Sequence, residues 1–209
     1  RRQRQMCIRD SYRVLDIDRL PHAISEAWDI CQMGRKGPVH IDLPVDQMGM
    51  DLDPALLDEP YGVKPLSEDL SGLHEAVEWI RGCKRPLILV GGGAMDASKE
   101  VMELAMLTGA PVVNTLMGMG IVPASYEMNM GPLGLHGRLT AIELSSEADL
   151  IISIGSRFSD RTYSHHDRMK EGRVIHIDVD PTEFGKHKHQ CVNLQADAVK
   201  AIRALICAL

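Results

Sequence analysis

The chain has 209 residues, 44% of them apolar and 25% charged, which is ordinary globular usage and enough length for one domain plus a piece of another. Lys and Arg number 23 against 29 Asp and Glu, a net charge of −6, so the basic surplus that binds a nucleic-acid backbone is missing and no nucleic-acid partner is expected. No stretch approaches the roughly 18 continuous apolar residues of a membrane span and no signal peptide is visible, so a soluble cytoplasmic protein without a membrane partner is the default expectation. The five cysteines, Cys7, Cys31, Cys83, Cys191 and Cys207, are odd in number and form no CxxC pair, which argues against a disulfide framework or a zinc site.

Arg1 to Gln5 is a basic, low-complexity stretch, and Met6-Cys7-Ile8-Arg9-Asp10-Ser11 resembles the conceptual translation of a transposon-derived sequencing adaptor. Residues 1–11 are read as an adaptor-derived artefact and set aside from fold reasoning, a natural basic arm being the alternative. They hold four arginines and one aspartate, so the remainder carries 19 basic against 28 acidic groups, net −9. At the other end Ala204-Leu205-Ile206-Cys207-Ala208-Leu209 stops inside an apolar helical pattern with no cap behind it. Both ends read as cut, and the chain as a fragment.

Leu20, Ile24, Ala27, Trp28 and Cys31 recur at the spacing of an amphipathic helix that Gly34 ends, and Val39-His40-Ile41-Asp42-Leu43 is a short strand between Gly37-Pro38 and Pro44. From 46 to 65 the pattern lapses among acidic residues and Pro54, Pro60 and Pro65, which predicts a linker and a domain boundary. Leu70, Leu73, Val77 and Ile80 predict the next helix, capped by Ser67 with Asp69 in its first turn. Beyond it, strands are expected over 87–91, 112–115, 150–155, 174–179 and 191–194, with helices near 97–107 and 139–146 and from 197 onward. Continuous apolar strands separated by helices point to a parallel sheet covered on both faces, in which ligands gather beyond the carboxyl ends of the strands.

Each strand end carries residues suited to a nucleotide. Gly91-Gly92-Gly93 permits close backbone approach to an anion or flat ligand, or simply a tight strand-to-helix turn, and it departs from the dinucleotide fingerprint because Asp96 stands where a third glycine is needed. Gly155-Ser156-Arg157-Phe158-Ser159-Asp160-Arg161 brings two guanidiniums into one loop, as phosphate or carboxylate binding requires, although a solvated Arg157–Asp160 pair is the simpler reading. Asp178 ends a strand where ribose hydroxyls are commonly received; turn formation and capping before Pro181 is the rival reading for Asp178 and Asp180, and the one preferred for Asp180. Gly131 to Gly137 is a glycine-rich loop around His136. His165, His166, His187 and His189 lack a carboxylate partner at ligand spacing, so no metal site is expected, and the methionines at 117, 119, 128 and 130 read as pocket lining or packing.

Six motifs in order, Gly34-Arg35-Lys36-Gly37-Pro38-Val39, Val90-Gly91-Gly92-Gly93, Thr115-Leu116-Met117-Gly118-Met119-Gly120, Gly134-Leu135-His136-Gly137, the Gly155 to Arg161 run and His176-Ile177-Asp178-Val179-Asp180-Pro181, resemble the thiamine-diphosphate-dependent acetohydroxyacid synthase (acetolactate synthase) family, large catalytic subunit. The resemblance covers residues 12–209. It implies a C-terminal piece of a pyrimidine-binding domain over 12–48, a linker over 49–66 and a central flavin-binding-type domain over 67–209. The fold expected is α/β, a doubly wound parallel sheet of about six strands preceded by one helix and one strand of another α/β domain.

By the same resemblance the central domain binds FAD in a structural part, through Arg35, Gly91, Gly92, Gly93, Thr115, Leu116, Leu135, His136, Gly155, Arg157, Asp178 and Asp197, and Arg161 with Asp160 lies near the second substrate. The family joins pyruvate to a second pyruvate or to 2-oxobutyrate, early in valine, leucine and isoleucine biosynthesis, with thiamine diphosphate and Mg2+ held by residues upstream and downstream of this stretch. The fragment alone is therefore expected to be inactive, and a homodimer or larger assembly, with a small regulatory subunit, is implied. Leu135 stands where many members carry methionine, Ser159 where many carry aspartate, Val45 where plant-type members carry lysine and Ala196 where glycine is usual. Related alternatives are sulfoacetaldehyde acetyltransferase, glyoxylate carboligase, pyruvate oxidase and oxalyl-CoA decarboxylase, and a different class is a non-catalytic nucleotide-binding module.

Overall fold

In a computed structural model the described residues are 9–57, 67–159, 162, 172–186 and 190–209. The chain divides into two compact units, residues 1–66 and residues 67–209.

In the first unit β1 (Asp10–Arg13) pairs in parallel with β2 (Val39–Asp42), with Asp10 opposite Val39 and Arg13 opposite Asp42. The crossover is α1 (Leu20–Gln32), entered through a 3-10 turn over Ile17–Arg19 that the Asp16 carboxylate caps by accepting the Asp18 N–H. The helix has the amphipathic spacing, yet it buries Ala27 and leaves Ile24 and Trp28 exposed within this unit. Asp10 and Ser11, set aside with the segment 1–11, contribute to β1, because a ladder is made by backbone N–H and C=O groups whatever the side chains. The patternless stretch after β2 opens with α2 (Val45–Met48), started by the fixed backbone of Pro44 and ended at Gly49, and holds a 3-10 turn over Pro54–Leu57. Residues 58–66 of the expected linker lie outside the described residues.

The second unit is a parallel sheet of six strands: β3 (Pro86–Val90), β4 (Val112–Asn114), β5 (Asn129–Pro132), β6 (Leu150–Ile154), β7 (Arg173–Asp178) and β8 (Gln190–Gln195). Their order across the sheet is β5-β4-β3-β6-β7-β8, so the chain builds outward from β3 in one direction, returns, and builds from β6 in the other. One face packs Ile88, Val90, Ile152, Ile154, Ile175 and Ile177 against α3 (Leu73–Gly82), α4 (Ser98–Thr108) and α6 (Ala198–Ala208). The other packs Leu87, Leu89, Val113, Ile151 and Val174 against Leu133, Phe158 and Ala141 of α5 (Leu139–Glu147). Each fully buried Ile or Leu contributes roughly 1.5–3 kcal/mol of burial. The β3, β6 and β7 runs are mostly apolar because both faces are covered, with Ser153 and His176 as buried polar exceptions.

The structure corrects three details. α3 begins at Leu73 rather than behind a Ser67 cap: the Asp69 backbone pairs with Gln195 at 2.8 Å in both directions, its carboxylate accepts the Ser71 N–H, and the Ser67 hydroxyl accepts from Gln195 Nε2 at 2.9 Å. β5 takes Gly131 and Pro132 out of the expected glycine loop. Proline is tolerated there because β5 is an edge strand, and a register shift at Val112/Val113 absorbs Met130 as a bulge. β8 alternates, burying Val192 and Leu194 and exposing Asn193, as an edge strand with one open face does.

Candidate cofactor site

Because all six strands are parallel, their carboxyl ends share one edge, and the direction of winding reverses between β3 and β6, the position where open α/β sheets receive ligands. Gly91, Gly92 and Gly93 follow β3; Thr115 and Leu116 follow β4; Leu135 and His136 follow β5; Gly155 and Arg157 follow β6; Asp178 closes β7; Asp197 follows β8. One edge therefore gathers every residue that the family resemblance assigns to the cofactor except Arg35. Arg35 lies in the first unit, half-buried on the turn between α1 and β2. Asp160 and Arg161 lie outside the described residues, as do His165, His166, His187 and His189.

The glycines at the reversal are required by the protein's own backbone. A Cβ on Gly91 would stand 2.2 Å from the Gly155 carbonyl oxygen, one on Gly155 would stand 2.5 Å from Gly93, and Gly155 has φ +58°. The Gly91 N–H donates to Ile154 O at 2.8 Å and the Gly93 N–H to Gly155 O at 3.1 Å, so these two amides join the β3 and β6 loops and are not aimed at a ligand. The triplet makes a tight turn at the end of β3, running into a 3-10 turn over Gly92–Ala94. Gly118 completes the junction, since a Cβ there would lie 2.3 Å from Val90 O. The glycines in Thr115-Leu116-Met117-Gly118-Met119-Gly120 are the only sequence signal of that constraint.

Around this closed junction the side chains are of three kinds. Leu116, Met117 and Leu135 are exposed apolar groups on the β4 and β5 loops, while Met130 packs beneath the sheet. The Thr115 hydroxyl accepts the Gly118 N–H at 3.2 Å and shapes the turn over Leu116–Gly118. Arg157 is exposed, between buried Ser156 and buried Phe158.

Asp178 is buried at the end of β7 and accepts the Asp180 N–H at 2.9 Å. Burial raises its carboxyl above the ordinary range; the Asp180 N–H opposes that, and the Glu183 and Asp180 carboxylates add to it. Asp180 caps the turn over Pro181–Glu183 through the Thr182 N–H, as its place before proline predicts. Asp197 caps α6 by accepting the Val199 N–H at 2.9 Å, so one of its oxygens already serves the helix. Among the described residues no cluster of His, Cys, Asp and Glu has the convergence of a metal site, and no helix is long and apolar enough to cross a membrane.

These features can be tested against a flavin dinucleotide. Exposed apolar side chains offer a surface for a flat ring, an exposed guanidinium meets a diphosphate, and a buried carboxylate at a strand end accepts a ribose hydroxyl. The donor and acceptor set fits the group.

Residues 73–205 match the family model of the thiamine pyrophosphate enzyme, central domain. The chain is 37% identical over 203 residues to the acetolactate synthase large subunit of Corynebacterium glutamicum, covering 94% of this chain and 32% of that protein. It is 35% identical over 201 residues to the acetolactate synthase isozyme 1 large subunit of Escherichia coli, covering 94% and 35%. With the chloroplastic acetolactate synthase 1 of Zea mays the identity is 32% over 204 residues, covering 93% and 32%. The chain spans about a third of the length of these curated relatives.

Proposed function

Because the chain belongs to the thiamine pyrophosphate enzyme family, through that family's central domain, we propose that it is the flavin-holding middle portion of an acetolactate-forming enzyme. The observation that carries this reading is the convergence of the cofactor residues, drawn from separate motifs, on the carboxyl edge of one sheet. Arg157 would fork onto the FAD diphosphate or a flavin carbonyl, Asp178 would accept a ribose hydroxyl, and Leu116 and Leu135 would cover the flat ring. When bound, FAD would serve a structural part rather than a redox one, held by these residues. Arg161, with Asp160 beside it, would receive the carboxylate of the second 2-oxo acid.

The reaction of the whole enzyme joins pyruvate to pyruvate or 2-oxobutyrate. Thiamine diphosphate and its Mg2+ would be held outside these residues, and the active enzyme would be a homo-oligomer, served by a regulatory subunit, in the cytoplasm. Titrating the purified chain into FAD and following flavin fluorescence tests the flavin assignment. Saturable binding, weakened at least tenfold by Arg157→Gln, is expected. Absence of saturable binding, or an unchanged affinity in Arg157→Gln, would overturn it.

A further inference from the structure

His176 stands in the middle of β7, a strand otherwise apolar from Val174 to Ile177, and is 3% exposed. Its neighbour across the ladder is Ser153 of β6. The Nε2 atom lies 2.9 Å from the backbone oxygen of Ser156. A carbonyl oxygen only accepts, so Nε2 carries the proton and donates. The imidazole also meets two rings edge-on, Phe158 at 5.3 Å and 83° and Phe184 at 5.1 Å and 80°. Phe158 has φ +47°, a left-handed conformation that a bulky side chain adopts only where its surroundings hold it there, and it is 5% exposed. One side chain thus grips the residue before Arg157 by its carbonyl and the residue after it by its ring. Arg157 itself is exposed between them.

We propose that His176 is the positioning residue of the Arg157 loop: its Nε2–H and its ring lock Ser156 and Phe158 so that the guanidinium is presented at the carboxyl edge beside Gly155. The inference rests on the flavin reading only for what Arg157 binds; the locking of the loop stands apart from it. Ligand affinity then depends on a buried group that touches no ligand, because an arginine that must be ordered on binding loses affinity to that ordering.

Two variants of the chain separate the contributions. His176→Phe keeps an aromatic ring between Phe158 and Phe184 and removes the donor, whereas His176→Gln restores an N–H donor without the ring. Amide hydrogen exchange at 156–159 reads the locking directly and needs no flavin. Faster exchange confined to that loop in His176→Phe, with partial recovery in His176→Gln, is expected; unchanged exchange in His176→Phe overturns the inference.

In the FAD titration, His176→Phe is expected to weaken binding about tenfold, the scale of one buried hydrogen bond, and the double variant His176→Phe/Arg157→Gln to bind no more weakly than Arg157→Gln alone. Losses that add in the double variant would show that His176 does not act through Arg157 and overturn the inference. A purely structural role would lower the melting temperature and leave the affinity of the folded chain where it was. If the parent chain binds no FAD, the flavin reading falls and the exchange result alone decides for or against the loop lock.

Discussion

Gly91 and Gly155 meet backbone to backbone, and their neighbour Gly92 does not, although all three sit in glycine motifs. A Cβ on Gly92 would approach Met117 Cβ at 3.2 Å, which a shift of a few tenths of an ångström in the Leu116–Gly118 turn relieves, whereas one on Gly91 would collide with main chain on the facing loop at 2.2 Å. Gly91→Ala is therefore expected to lower unfolding free energy by about 3 kcal/mol, and Gly92→Ala to change it by less than about 1 kcal/mol, in urea titrations followed by circular dichroism.

Asp178 gives a second test at this scale, with its own pH dependence. Burial, reinforced by the carboxylates of Glu183 and Asp180, holds its proton more tightly in the fold than in the unfolded chain. Its favourable contribution is thus present at pH below the ordinary carboxylate range and is lost as pH rises through the raised value. Asp178→Asn cannot ionise and keeps an oxygen for the Asp180 N–H, so it is expected to melt above the parent at neutral pH. That gain should fade as pH falls through the acid range; a gain that grows toward low pH would contradict the burial argument. The sequence marked Asp178 by its strand-end position, but the locking role argued for His176 was not legible, since it depends on a loop twenty residues away in sequence returning to β7.

Among the elements, those with a strong period or a long apolar run were readable: the strands over Leu150–Ile154 and Arg173–Asp178 and the helix over Ser98–Thr108. The misses share a cause, which is that long-range pairing overrode local pattern. Asp69 belongs to a bridge with Gln195 and not to a helix turn, and Asn129–Pro132 forms a strand with glycine and proline inside it because β4 supplies its ladder partner. The cap of α6 is a separate, local device. Removing it in Asp197→Ala leaves the Val199 N–H without its acceptor and is expected to cost about 1 kcal/mol by thermal or urea unfolding. An equal loss of FAD affinity measured well below the melting temperature would show that Asp197 serves the ligand as well as the helix.

At the scale of the whole molecule, the doubly wound sheet of residues 67–209 and the family to which it belongs were both legible, the sheet from apolar runs alternating with helical ones and the family from the resemblance of six ordered motifs. The packing role of Gly91, Gly93 and Gly155 was not, since it arises from β3 and β6 lying side by side, 64 residues apart in sequence. Under the proposed function, the purified chain supplied with pyruvate, thiamine diphosphate and Mg2+ is expected to form no acetolactate above background; measurable turnover would mean that these residues hold more of the active site than the account allows.

The central claim is the location of the cofactor, and a crystal structure of the chain grown with FAD tests it most directly. The account requires the dinucleotide along the carboxyl edge over β3 and β6, with a phosphate or flavin oxygen on Arg157 and a ribose hydroxyl on Asp178. The molecule offers a competing place, an open hollow of about 420 Å³ at the amino ends of β4 and β5, lined by Met106, Gly109, Tyr126 and Met128. FAD bound in that hollow, or bound nowhere while the carboxyl edge is open to solvent, would contradict the account.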